Sequence, residues 1–82
     1  MPGFQYVYIL ESLAEPGRFY TGLTDNLGER LRMHNAGKIS HSAKYAPWQV
    51  KSAVAFRDRT RAGAFERYLK TGSGRAFAKK RL

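Results

Sequence analysis

Leu27, Arg30, Leu31 and His34 lie three and four residues apart, so a helix through them presents all four on one stripe. Two leucines turn that stripe toward a core, yet an arginine and a histidine share it. An arginine among core-facing positions needs a partner or a cleft. The pattern recurs downstream, where Glu66 falls on the stripe of Ala62, Phe65 and Leu69. A guanidinium grips anionic oxygens, an imidazole moves protons near neutrality, and a carboxylate holds a cation. Together with the strand tyrosines Tyr8 and Tyr20, these groups form the candidate constellation. Each has a plainer reading. Strand tyrosines often pack with a wet hydroxyl, Arg30 and Glu66 can form a buried ion pair, and His34 can be a hydrogen-bonded core histidine. His41 reads as a solvated loop residue. No spacing marks a histidine or cysteine metal cluster, a phosphate loop or a nucleophile elbow.

The elements that must position these groups can be read in order. Phe4 to Leu10 is aromatic and β-branched, and apolar on both alternating faces, as a covered central strand requires. Ser12 to Gly17 is a loop with a Pro16-Gly17 turn signal, and Arg18 to Leu23 completes a hairpin. Asn26 (or Asp25) caps the first helix, with Glu29 at capping-box spacing, and Gly37 ends it. Lys38 to Pro47 is a polar loop suited either to phosphate and base contact or to plain solvation. Trp48 to Phe56 is a third strand, with Trp48, Val50, Val54 and Phe56 on one side and Ser52 interrupting it. A second helix is expected from a Thr60 cap. Gly72-Ser73-Gly74 breaks it, and a basic final helix follows over 75–82, capped by Ser73 and anchored by Phe77. The expected class is α/β (α+β): one small antiparallel sheet of three strands flanked by three helices, forming a single domain over residues 1–82.

Composition narrows the partners. The 82 residues suffice for one modest core, and a hydrophobic content of 43% is that of a folded domain. Fifteen Lys and Arg against six Asp and Glu give +9, a field that favours a polyanion, most commonly nucleic acid. The absence of cysteine excludes disulfides and thiolate metal sites. No apolar run has the length of a membrane span or signal core, so a cytoplasmic protein without membrane association is expected.

The pair Tyr6-Val7-Tyr8 and Tyr20-Thr21-Gly22, followed by Arg30, His34 and Glu66, resembles the GIY-YIG endonuclease domain from Tyr6 to the basic C-terminus. Its most specific part is Tyr20-x-Gly22-x-Thr24-x-Asn26-Leu27-x-x-Arg30-Leu31-x-x-His34-Asn35, and the stand-alone bacterial members are the most similar. The resemblance implies the same sheet and helices, and hydrolysis of DNA phosphodiesters in repair or processing. It matches Tyr8 and Tyr20 to the motif tyrosines, Arg30 to the helix arginine and Glu66 to the ligand of a single Mg2+ (or Mn2+), with His34 one turn beyond Arg30. Either tyrosine would activate water, its pKa drawn below the usual value of about 10 by Arg30, the ion and the positive field; His34 would instead relay or accept the proton. Lys38, Lys44, Arg61, Lys70, Arg75, Lys79 and Lys80 would hold flanking phosphates. The chain departs from the family where the first motif lacks its glycine, Thr21 replaces an aliphatic residue, and Leu23 stands where some members have lysine. No late asparagine occurs, leaving Ser73 or Arg75 in its region. Rival functions are a nucleic-acid-binding module with weak or no catalysis, and a regulatory protein that docks an acidic partner.

Overall fold

A strand apolar on both faces must be covered on both, and β1 (Gln5–Ser12) is that strand. In the computed structural model, which describes residues 3–82, it lies between β2 (Phe19–Thr24) and β3 (Trp48–Phe56) in an antiparallel sheet of order β2-β1-β3. Helix α1 (Leu27–Asn35) follows β2, while α2 (Arg59–Leu69) and α3 (Gly72–Arg81) follow β3. Val7 and Ile9 pack beneath Ala62 and Leu69 of α2; Tyr8 and Leu10 pack on the other face with Trp48 and, from α1, Leu27 and Leu31. Each fully buried apolar side chain contributes on the order of 1.5–3 kcal/mol, so the two small clusters hold the helices to opposite faces. No helix among the described residues is long and apolar enough to cross a membrane.

Sequence periodicity misplaces one residue set. Pairing of β1 with β3 runs Ile9 to Ser52 and then Leu10 to Val50, so Lys51 is an extra residue in a bulge. A one-residue slip exchanges the faces of a strand. Trp48 and Val50 consequently lie on the Tyr8 face, while Val54 and Phe56 lie on the Val7 face. Ser52, read as an interruption, faces the Val7 side and donates its hydroxyl proton to the Leu82 carbonyl at 2.6 Å.

Caps fix the helix boundaries. Asn26 accepts from the Glu29 amide at 3.1 Å, as the capping spacing predicts, but its own backbone amide donates to Oγ1 of Thr24 and only its side-chain amide reaches Glu29, at 3.3 Å. Gly37 closes α1 with φ +72, the conformation that favours glycine. The other two caps differ from expectation. Asp58, not Thr60, accepts from the amides of Thr60 and Arg61, because the backbone is still extended at Asp58. Thr71, not Ser73, caps α3 by accepting from the Gly74 amide at 3.1 Å, so Gly72-Ser73-Gly74 form its first turn. Phe77, 37% exposed, holds α3 against the Phe65 and Tyr68 rings of α2 at 6.3 and 6.0 Å between centroids, while Ala78 and Leu82 reach the core beneath.

Gly74 is buried where a Cβ would run into the Tyr68 carbonyl and Leu69 backbone, whereas a Cβ on Gly72 meets nothing. Gly74→Ala is therefore expected to cost about 1–3 kcal/mol by overpacking the α2–α3 junction. Gly72→Ala is expected to be neutral or slightly stabilising. Urea denaturation of the two variants checks the contrast.

Candidate active site

Tyr8 leaves the middle of β1 opposite Gly22 of β2. A Cβ on Gly22 would occupy the space taken by the Tyr8 hydroxyl and ring, so the second motif needs glycine there for steric reasons. The Tyr8 ring crosses β2 through that gap and its hydroxyl lies 3.0 Å from Nε2 of His34. His34 is wholly buried on α1, and its Nδ1 lies 2.6 Å from Oγ of Ser42, also wholly buried. The Ser42 hydroxyl donates to the Ile39 carbonyl at 3.3 Å. A Ser42 proton directed to that carbonyl makes the hydroxyl accept from Nδ1–H and leaves Nε2 bare to accept from Tyr8, the tautomer adopted here. The chain therefore runs Tyr8 to His34 to Ser42 to backbone, with each donor proton directed.

The loop that carries Ser42 is itself pinned. Trp48 Nε1–H donates to the Ser42 carbonyl at 3.0 Å, and the Asn35 side chain bonds both the amide and the carbonyl of Trp48. Ser12 donates to the carbonyl of Tyr45 at 2.6 Å, holding the 3-10 turn Ala43–Tyr45 against β1. Ser42 is the residue that sequence reasoning missed; it appears in the polar loop only as one of two serines. The available signal was indirect, since a buried His34 needs a partner at each ring nitrogen.

Electrostatics set the protonation states. Burial pushes the Tyr8 phenol up to about 12, aided by the neighbouring Tyr20 phenol and, more weakly, by the Glu66 carboxylate; the Arg30 charge opposes the rise without overcoming it. The expectation that the field draws this phenol down is thus corrected. Burial, and then the Arg30 charge, push His34 below its usual value, so it is neutral near pH 7. The Tyr20 ring stands edge-on to His34, 4.6 Å between centroids, and stacks beside Tyr8 at 6.4 Å.

Arg30 and Glu66 are not each other's partners. Arg30 sits half-buried on α1 above the Tyr8 face. Glu66 comes from α2 on the other face and holds Lys70 at 3.1 Å through Oε2, its side chain 20% exposed. The site thus spans both faces of the sheet, with Tyr8 sensing a charge from each. Of the expected phosphate-binding cations, Lys38, Lys44, Arg61, Arg75, Lys79 and Lys80 are exposed. Arg61 leans toward Asp58 at 3.9 Å, and Lys44 lies over the Tyr45 ring at 5.1 Å. Ser73 and Arg75, in the region of the absent asparagine, are exposed on α3.

Two outcomes are expected. Gly22→Ala forces Tyr8 out of its gap and breaks the Tyr8–His34 bond, at a cost of about 1–3 kcal/mol, read by chemical denaturation. His34 has a folded pKa depressed below its unfolded value near 6.5. Its contribution to stability is complete above that unfolded value and is lost as pH falls through the folded one. Urea midpoints measured down from pH 7 should fall more steeply for the wild type than for His34→Gln.

Comparison with known proteins accords with this geometry. The family model described as the GIY-YIG catalytic domain matches residues 4–81. A protein named structure-specific endonuclease subunit SLX1 from Candida glabrata is 35% identical over 74 residues, covering 80% of this chain and 23% of that protein. Its namesake from Debaryomyces hansenii is 38% identical over 56 residues, covering 60% of this chain and 16% of that one. The chain spans less than a quarter of either relative. The solution NMR structure of the UPF0213 protein BH0048 from Bacillus halodurans superposes with a TM-score of 0.56 at 30% identity, covering 93% of this chain and 80% of that one. With its tyrosines, helix arginine and glutamate gathered around one sheet and nearly its whole length matched, the chain belongs to the GIY-YIG endonuclease family.

Proposed function

We propose that this domain is an endonuclease that hydrolyses phosphodiester bonds in DNA with the help of one divalent ion, in repair or processing. The single observation that carries the reading is the directed chain from Tyr8 through His34 to Ser42, with Arg30 and Glu66 within electrostatic reach of the same phenol. A phenol near 12 is a poor base by itself, but this one is already hydrogen-bonded to a bare imidazole nitrogen. As the Tyr8 oxygen takes a proton from the attacking water, its own proton passes to His34 Nε2, so no free phenolate is required. Ser42 holds Nδ1–H throughout and fixes the tautomer. Arg30 offers its planar donors to the phosphate oxygens as negative charge gathers there. Tyr20, edge-on to His34, limits water at the imidazole.

The donor set at Glu66 fits a hydrated Mg2+ or Mn2+. One Glu66 oxygen is engaged by Lys70, and among the described residues the other has no hydrogen-bond partner and no cluster of three or more acidic, histidine or cysteine groups occurs. A lone carboxylate suits an ion that keeps most of its waters. When bound, such an ion supplies a Lewis acid for the phosphate and leaving oxygen. The exposed cations and the +9 charge support nucleic acid as partner, held through phosphates with a steep salt dependence. The relatives' printed name, structure-specific endonuclease subunit, supports a substrate chosen by its structure. A binding module without efficient chemistry is the second reading, favoured by Lys70 already neutralising Glu66 and by the missing asparagine.

Cleavage of labelled single-stranded, duplex and branched DNA, with Mg2+, Mn2+ or chelator, separates these readings. The wild type is expected to cut only with a divalent ion, and Glu66→Ala and Arg30→Ala to abolish cutting while remaining folded. Tyr8→Phe and His34→Gln should each lower the rate by about 10²–10⁴-fold. The wild-type rate should also fall on the acid side of neutrality as His34 is protonated, at a pH below its ordinary value. Salt-sensitive binding with no cleavage of any substrate would establish the second reading instead.

A further inference from the structure

A groove lies mainly on the sheet face opposite Tyr8 and His34 and reaches Tyr20 and His41 at the edge of β2. It runs between the hairpin end of β2 and helix α3, has a volume of about 1090 Å³, and is floored by Ile9. Lys51, Lys70, Arg75 and Lys79 line it, and its one acidic residue, Glu15, is held by Arg18 at 3.1 Å. Lys51 is the bulged residue of β3, and the bulge brings its ammonium 5.0 Å from the centre of the Phe19 ring. Phe19 is 49% exposed on an edge strand, which leaves much of an aromatic ring open to the groove.

We propose that this groove binds a single-stranded segment of nucleic acid, with Phe19 stacking on a base and the cations tracking its phosphates. Cations alone would suit any polyanion. The open aromatic ring among them selects the occupant, because a single strand has unstacked base faces to offer and an intact duplex does not. Lys70 lines this groove and also holds Glu66, so it joins the groove to the candidate active site. The proposal takes its purpose from the endonuclease reading, since an enzyme with this second site would favour junctions between duplex and single strand.

The test reads binding, without cleavage. Fluorescence anisotropy in chelator would compare a labelled oligothymidylate with a hairpin duplex, using wild type, Phe19→Ala, Lys51→Glu and, as a charge-matched control on the exposed side of α1, Arg32→Glu. Phe19→Ala is expected to weaken binding of the single strand roughly tenfold, the loss of one base–aromatic stack, and to leave duplex binding nearly unchanged. Lys51→Glu should weaken single-strand binding more than Arg32→Glu does. Unchanged circular dichroism and melting temperature would show that the variants fold. Equal single-strand affinity in Phe19→Ala and wild type, or equal losses in Lys51→Glu and Arg32→Glu, would overturn the proposal. Cleavage by the wild type is scored separately. Cutting with a normal Phe19→Ala affinity removes the groove alone, whereas single-strand binding through Phe19 without any cutting removes the endonuclease reading and leaves the groove.

Discussion

The hydrogen-bond chain from Tyr8 to His34 to Ser42 joins three parts of the molecule through its buried interior: β1, α1 and the loop before β3. All three side chains are buried, and a buried donor or acceptor without a partner costs about 1–3 kcal/mol. No buried side-chain polar atom among the described residues lacks a partner. Much of the surrounding structure exists to meet that condition. Gly22 clears a path for the Tyr8 ring, Asn35 ties the start of β3 to the end of α1, and Trp48 holds the Ser42 carbonyl.

The same burial that secures the chain works against simple base catalysis. A phenol raised to about 12 does not ionise near neutrality, and the Arg30 charge reduces the shift without reversing it. Burial also keeps His34 neutral and therefore able to accept a proton. One physical cause thus makes Tyr8 a poor independent base and His34 a ready acceptor bonded to it. Arg30 acts on both members of this pair and Glu66 on Tyr8 alone, from the opposite face of the sheet.

Much of this was legible in the sequence. The two-faced apolarity of Phe4 to Leu10 marked the central strand, and the polar residues on the stripes of α1 and α2 marked the candidate site. The Asn26 cap and the Gly37 terminus follow from local backbone chemistry, which is why they were found. The errors arise where a local rule had two solutions. Asp58 and Thr60 are both competent caps, and only the backbone bend after β3 selects the first. The bulge at Lys51 reverses the face of Trp48 without leaving a mark in composition. Ser42 lies eight residues from His34 with a glycine-terminated helix end between them, so their meeting depends on how Asn35 and Trp48 fold the loop back. The plainer reading of Arg30 and Glu66 as a buried ion pair fails because the two side chains come from helices on opposite faces of the sheet, and Glu66 meets Lys70 instead.

The central claim is the direction of the protons along this chain, and nuclear magnetic resonance of the ¹⁵N-labelled His34 ring tests it most directly. At neutral pH the account requires a neutral ring with its proton on Nδ1 and an unprotonated Nε2 whose resonance moves in Tyr8→Phe. A proton on Nε2, or an Nε2 resonance indifferent to loss of the Tyr8 hydroxyl, would mean that His34 cannot accept from Tyr8, and would contradict the account.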